Sequence, residues 1–218
     1  MGGRQAALFG RADYLLTRRL QDYADRGQLA AATSAFGAFV TCVIRIGGPG
    51  ILLQFLWLGL MLAISLIRVE QVRRFTPETI DLLYFRQQRR FAVALGVADS
   101  LGWATGMTMF AVLASEPELY LLGILSAGVI TSSMIYYRAL PEVCIVFVGA
   151  MACAGVAISY AMGGHIDPVA GLLIAALTLV LLRGIADDAK LYRRKFEGEA
   201  ELAESAETIQ LLLHDYEA

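Results

Sequence analysis

Asp99 is the residue in this chain best placed to do chemistry. It sits near the middle of residues 91–113, 23 positions that carry no other charge. An apolar helix of roughly 20 residues is long enough to cross a bilayer. A carboxyl group at that depth is costly unless it is paired, neutralised or wetted. Residue type and setting therefore point to a proton or cation site, or to a polar contact between helices. Ser100 and Thr105 are nearby hydrogen-bond donors. Arg45, at the end of another apolar run, is the candidate partner, so Asp99 and Arg45 are the candidate intramembrane functional residues. The plainer alternative is an interhelical hydrogen bond of structural value only. No second acid, histidine or asparagine lies at similar depth, which is thin ground for a pump.

Gly102 and Gly106 follow Asp99 at a spacing of four. Small residues at that spacing let two helices approach closely, so both are expected at a tight packing seam. Trp57 and Trp103 fall within apolar runs and are expected to pack helices. Tyr120, Tyr136 and Tyr137 lie near run ends, where tyrosines anchor at the membrane interface.

The other reactive residues form no constellation. Cys42, Cys144 and Cys153 all lie in apolar runs without a CxxC or Cys/His cluster, as small packing residues do. His165 and Asp167 share one turn, too few to make a metal site. His214 lacks any kinase context. No hydrolase triad, P-loop, dinucleotide fingerprint or zinc motif is present, so no catalytic residue, cofactor or metal is expected. No basic-aromatic surface suits nucleic acid.

These residues must be held by membrane helices. Apolar residues make up 57% of the 218 and charged residues only 17%, below the roughly 25% of a soluble domain. The apolar residues gather into long runs, which predicts an all-α polytopic membrane protein. Six spans are expected, at about 29–46, 51–67, 91–113, 119–137, 141–162 and 169–182. Residues 47–50, 115–118, 138–141 and 163–168 make turns. Thr76-Pro77-Glu78 in the 68–90 segment is a plausible helix start. Residues 6–27 have the character of an amphipathic helix, with positive charge from Arg4, Arg11, Arg18, Arg19 and Arg26. Such a helix lies on an anionic membrane surface or packs on its own protein. Three segments follow: a cytoplasmic amphipathic helix at 1–28, a six-helix transmembrane domain at 29–182 and a cytoplasmic helix at 183–218. The first 28 residues are too polar for a cleavable signal peptide.

Lysine and arginine set the orientation, because they collect on the cytoplasmic side. Of the 18, only Arg45 falls on the far side if six helices cross in turn. Both termini are then cytoplasmic. The opposite side keeps three short turns, none able to fold into a ligand-binding domain.

The tail carries a second pattern. Leu202, Ala206, Ile209, Leu213 and Tyr216 are spaced four, three, four, three, which is a coiled-coil seam. Ile185, Ala189, Tyr192 and Phe196 follow the same rhythm. The step from 196 to 202 breaks the register, as a stutter does. A parallel homodimer through this seam is expected. The alternative is one amphipathic helix packed on its own protein.

The stretch TIQLLLHDYE, with Thr208, Ile209, Leu211, Leu212, Leu213, Asp215, Tyr216 and Glu217, resembles the junction helix of bacterial membrane-bound cyclic-di-GMP signalling proteins. In that group a multi-helix membrane region leads through such a helix to a PAS domain, then to GGDEF and often EAL catalytic domains. The resemblance implies a membrane input module of the bacterial inner membrane, in which these residues are not the enzyme. Cyclase or phosphodiesterase activity would belong to downstream PAS, GGDEF and EAL domains of the same polypeptide. Histidine kinases use similar junctions, so a kinase output is the alternative. Three readings thus stand: a sensor and dimerisation module, a small transporter or channel built around Asp99, and a membrane-embedded enzyme acting on lipid. The last lacks paired catalytic residues at the interface.

Overall fold

The structure is a computed structural model that describes residues 11–46, 48–75, 82–163 and 168–217. These form six helices: α1 (Arg11–Ile44), α2 (Ile51–Arg73), α3 (Leu82–Val112), α4 (Glu116–Tyr136), α5 (Pro141–Gly163) and α6 (Pro168–Glu217). No strand occurs among the described residues. The expected starts at 76–78 and the turn holding His165 and Asp167 lie outside them.

Helices run through two of the segment boundaries expected from the sequence. Residues 11–28 and the first span form one helix, α1, because nothing there breaks it. Gly27 marks a close approach instead: a Cβ at that position would lie 2.5 Å from the Val72 side chain of α2. Likewise the sixth span and the tail form one helix, α6, of 50 residues, about 75 Å at 1.5 Å per residue. It opens on Pro168, whose fixed φ suits a first helical position. Two further helices outrun the expected spans: α2 continues past Arg68 to Arg73, and α3 begins at Leu82.

Local chemistry sets the other ends. Gly50, at φ 81, takes the left-handed conformation that lets α2 start out of the 47–50 turn. Ser115 and Glu118 close the first turn of α4, with Glu118 Oε2 accepting from the Ser115 backbone N–H at 2.6 Å and its hydroxyl at 2.8 Å. Pro141 opens α5.

The helices run up and down. α3 makes its most extensive contacts with α5 and also touches α1, α2 and α4. It runs from the end where α2 finishes to the end where Arg45 of α1 meets Glu118 of α4, so it traverses the bundle. Arg18, Arg19, Arg26, Arg74, Arg86, Arg89, Arg90 and Arg138 gather at one end, called here the basic end.

The core has two clusters. One holds Trp57, Met61, Trp103, Met107, Phe110 and Phe147; the other, nearer the basic end, holds Tyr23, Tyr137, Val143, Ile185, Tyr192 and Phe196. The outside is apolar: Leu52 is 73% exposed and Ile124 73%, whereas Arg68 is 1% exposed and Asp99 3%. Charge inside and leucine outside is the distribution a lipid solvent favours. Four described segments, Leu16–Ile44, Ile51–Arg73, Pro117–Tyr136 and Pro141–Tyr160, are long and apolar enough to cross a membrane. α3 is not among them. Asp99, Ser100 and Thr105 dilute its apolarity, which its place against four other helices permits.

Candidate functional site

Asp99 lies on α3 between the two core clusters. Its carboxylate receives three hydrogen bonds from three other helical elements. Ser34 of α1 donates to Oδ1 at 3.0 Å. Arg68 of α2 donates to Oδ2 at 3.0 Å. Tyr137, which caps the end of α4, donates to Oδ2 at 2.8 Å. The Ser34 hydroxyl in turn accepts from Trp103 Nε1 at 3.1 Å, and since an indole only donates, the direction of this chain is fixed. The Arg68 guanidinium lies 5.1 Å from the centre of the Tyr137 ring. Tyr23 of α1 stacks on the far side of the cluster, 6.5 Å from Tyr137. A buried charge is tolerable when it is both paired and hydrogen-bonded, and Asp99 is both.

A cavity of about 30 Å³ adjoins the pair, lined among others by Ser34, Arg68, Asp99, Ser133 and Tyr137. One water fits a space of that size, given two to four polar partners.

The site sits toward the basic end. Arg68 is about 8 Å along α2 from Arg73, and Asp99 about 20 Å along α3 from Val112.

The structure does not bring Arg45 to Asp99. Arg45 is 2% exposed at the other end of α1, with Nη1 on Glu118 Oε2 at 2.7 Å. The partner of Asp99 is Arg68, which the sequence places at the start of a polar connection. Tyr137 is a buried hydrogen-bond donor to Asp99, whereas Tyr120 is 69% exposed. Neither expected local donor serves Asp99: the Ser100 hydroxyl donates to the Gly96 carbonyl, and Thr105 is exposed.

The Gly102 and Gly106 seam is present. A Cβ on Gly102 would lie 2.7 Å from Met61 Sδ, and one on Gly106 would overlap the Trp57 indole. Trp57 Nε1 donates to the Gly102 carbonyl at 2.7 Å, a contact only a bare backbone allows. Trp57 also meets Trp103 and Phe110 edge-to-face, at 5.5 and 5.0 Å. α2 is thereby locked onto α3 just above the Arg68–Asp99 pair.

A second cluster clasps α6 at the basic end. Ile185, Tyr192 and Phe196 are buried against the bundle in the same cluster as Tyr23 and Tyr137. Arg19 of α1 and Arg138 of the α4–α5 turn both lie over the Tyr192 ring, at 5.9 and 6.0 Å. Arg138 also pairs with Asp188 at 3.1 Å. Burial pushes the Tyr192 phenol up, and the nearby Asp22 carboxylate adds to the shift. Ile185, Tyr192 and Phe196 thus pack on the protein's own bundle. Further on, Leu202 is 72% exposed, Ile209 57%, and Ala206 is exposed. The side chains of Leu213 and Tyr216 lie outside the described residues.

No family model, curated protein or solved structure matches the chain.

Its chemistry is therefore read from geometry. The Asp99 site can hold charge and tie α1, α2, α3 and α4 together. No group of three or more His, Cys, Asp or Glu suited to a metal occurs among the described residues. Sequence reasoning missed Arg68, Ser34, Tyr23 and Tyr137. One signal was available: Trp57, Met61, Ile64, Arg68 and Gln71 are spaced four, three, four, three, which puts Arg68 on the inward stripe of α2.

Proposed function

We propose that this chain is a membrane sensory and dimerisation module that passes a change in helix packing to a cytoplasmic output through α6. Six crossings, with both ends of the chain on the basic side, are part of this reading. They are supported by the up-and-down path of the helices and by the basic residues gathered at one end. The single observation that carries the proposal is the continuity of α6. One 50-residue helix leaves the bundle, is clasped at Ile185, Tyr192 and Phe196, and then presents Leu202, Ala206 and Ile209 to the outside. The six-residue step from Phe196 to Leu202 turns the apolar face by about 120° at 3.6 residues per turn. The stutter thus marks a handover from packing within one copy to a seam free for a second copy.

The output is a cyclic-di-GMP cyclase or phosphodiesterase, carried by PAS, GGDEF and EAL domains beyond α6. This rests on the resemblance at residues 208–217. Cyclase domains of this type need two copies to meet, so dimer geometry is a suitable point of control. A transporter built around Asp99 draws less support. The carboxylate already holds three donors, and the adjoining cavity admits one water.

Cysteine cross-linking in native membranes tests the proposal, in a background with the exposed Cys153 replaced by serine. Leu202→Cys and Ile209→Cys should cross-link between copies, and Phe196→Cys, which faces its own bundle, should not. Absence of any cross-link at 202 and 209 in well-expressed protein overturns the dimeric reading. In the longer protein, Asp99→Asn should change output activity.

A further inference from the structure

Tyr137 and Arg138 are consecutive residues on one tight turn, and their side chains serve different parts of the molecule. Tyr137 donates to Asp99 at 2.8 Å, inside the bundle. Arg138 pairs with Asp188 of α6 at 3.1 Å and lies over the ring of Tyr192. The turn between them is stiff. The Tyr137 N–H donates to the Ser133 carbonyl at 2.9 Å, and the Leu140 N–H to the Tyr137 carbonyl at 2.7 Å. Ala139 and Leu140 are buried at 1% and 2% exposure. With Tyr137 itself 2% exposed, its ring has little room to rotate on its own, which links the placement of Arg138 to that of Tyr137.

We infer that the Tyr137–Arg138 turn couples the Asp99 site to the docking of α6. While Asp99 holds the Tyr137 hydroxyl, Arg138 is placed to grip Asp188 and Tyr192, and residues 185–196 stay against the bundle. When the Asp99–Tyr137 bond is lost, the turn shifts, Arg138 releases its partners, and that part of α6 loosens. Tyr137 and Arg138 are positioning residues in this scheme, and the turn is the two-state element that both sites bias. The inference rests on α6 being the transmitting element.

Its test is amide hydrogen exchange on the full chain in lipid nanodiscs, following residues 185–196 and, as a folding control, residues 99–110. Tyr137→Phe removes the hydroxyl but keeps the ring. It should speed exchange at 185–196 roughly tenfold, the scale of one lost hydrogen bond to a charged group, and leave 99–110 unchanged. Arg138→Ala should give a similar acceleration. The double variant should be no faster than the faster single one, because both break one linkage. Ser34→Ala removes a bond to the same carboxylate without touching the turn, and should leave 185–196 at the wild-type rate. Four results overturn the inference: no acceleration in Tyr137→Phe, multiplied effects in the double variant, equal loosening of 99–110, or equal loosening by Ser34→Ala. Cross-linking at 202 and 209 reads association between copies, whereas this exchange reads docking within one copy, so either proposal can fail without the other.

Discussion

Arg68 Nη2 lies 3.0 Å from Asp99 Oδ2, and the two side chains are 1% and 4% exposed. The pair joins α2 to α3 where both charges are almost wholly withdrawn from bulk solvent. Removing one partner strands the other, whereas removing both relieves the problem. Asp99→Asn and Arg68→Met should therefore each destabilise the protein by about 3–5 kcal/mol. The double variant should cost clearly less than the two singles added together. Unfolding in detergent, followed by Trp57 and Trp103 fluorescence, measures all three; strict additivity would contradict the pairing.

The glycine seam predicts a graded series. Gly106→Ala drives a methyl into the Trp57 indole, which is held in place by its bond to the Gly102 carbonyl, and should cost about 1–3 kcal/mol. Gly102→Ala meets the flexible end of Met61 and should cost less. Gly123 and Gly128 of α4 have open space where a Cβ would go, so alanine there should be neutral or mildly stabilising. Melting temperatures rank the four. A loss at Gly123 equal to that at Gly106 would remove packing as the explanation.

Glu118 and Arg45 predict an asymmetry at the opposite end. Arg45 is 2% exposed, Glu118 26%. Glu118→Gln leaves a sealed cation without its counter-charge, whereas Arg45→Met leaves a carboxylate that water can reach. Glu118→Gln should lower the melting temperature more than Arg45→Met. The reverse order would mean that the salt bridge is not the main tie between α1 and α4.

The α6 clasp should fail at high pH. The phenol of Tyr192 is held above its ordinary value in the docked helix. The undocked phenol therefore ionises first, near its ordinary pKa of about 10. The sign follows from linkage: the docking stabilisation from this group is complete below pH 10 and falls as pH rises from there toward the raised docked value. A nitroxide at position 189 should gain mobility over that range. In Tyr192→Phe, which has no proton to lose there, this alkaline component should be missing.

Much of the architecture was legible before any coordinates. Long apolar runs and the Gly50, Ser115, Pro141 and Pro168 signals place the helices, because chain-local rules of helix length and capping depend on neighbouring residues only. The Gly102 and Gly106 seam was legible for the same reason, since a missing side chain is visible in the sequence whatever fills the space. The full lengths of the helices were not. A charge such as Arg68 ends an apolar run but does not end a helix, and a glycine such as Gly27 invites a neighbour without breaking the backbone.

The sequence by itself determined that Asp99 needs a partner, because an unpaired carboxylate is too costly in an apolar helix. Only the tertiary structure decided which partner it has. Arg45 and Arg68 both border apolar runs, and their side chains are equally able to pair with an acid. The choice depends on which residues stand at the same height when α2 and α3 pack. Trp57 seated between Gly102 and Gly106 sets that height, and with it brings Arg68, not Arg45, to Asp99. The same holds for Tyr137. Its place at the end of an apolar run suits an interfacial ring, but the way α4 ends against α3 turns its hydroxyl inward to the buried charge.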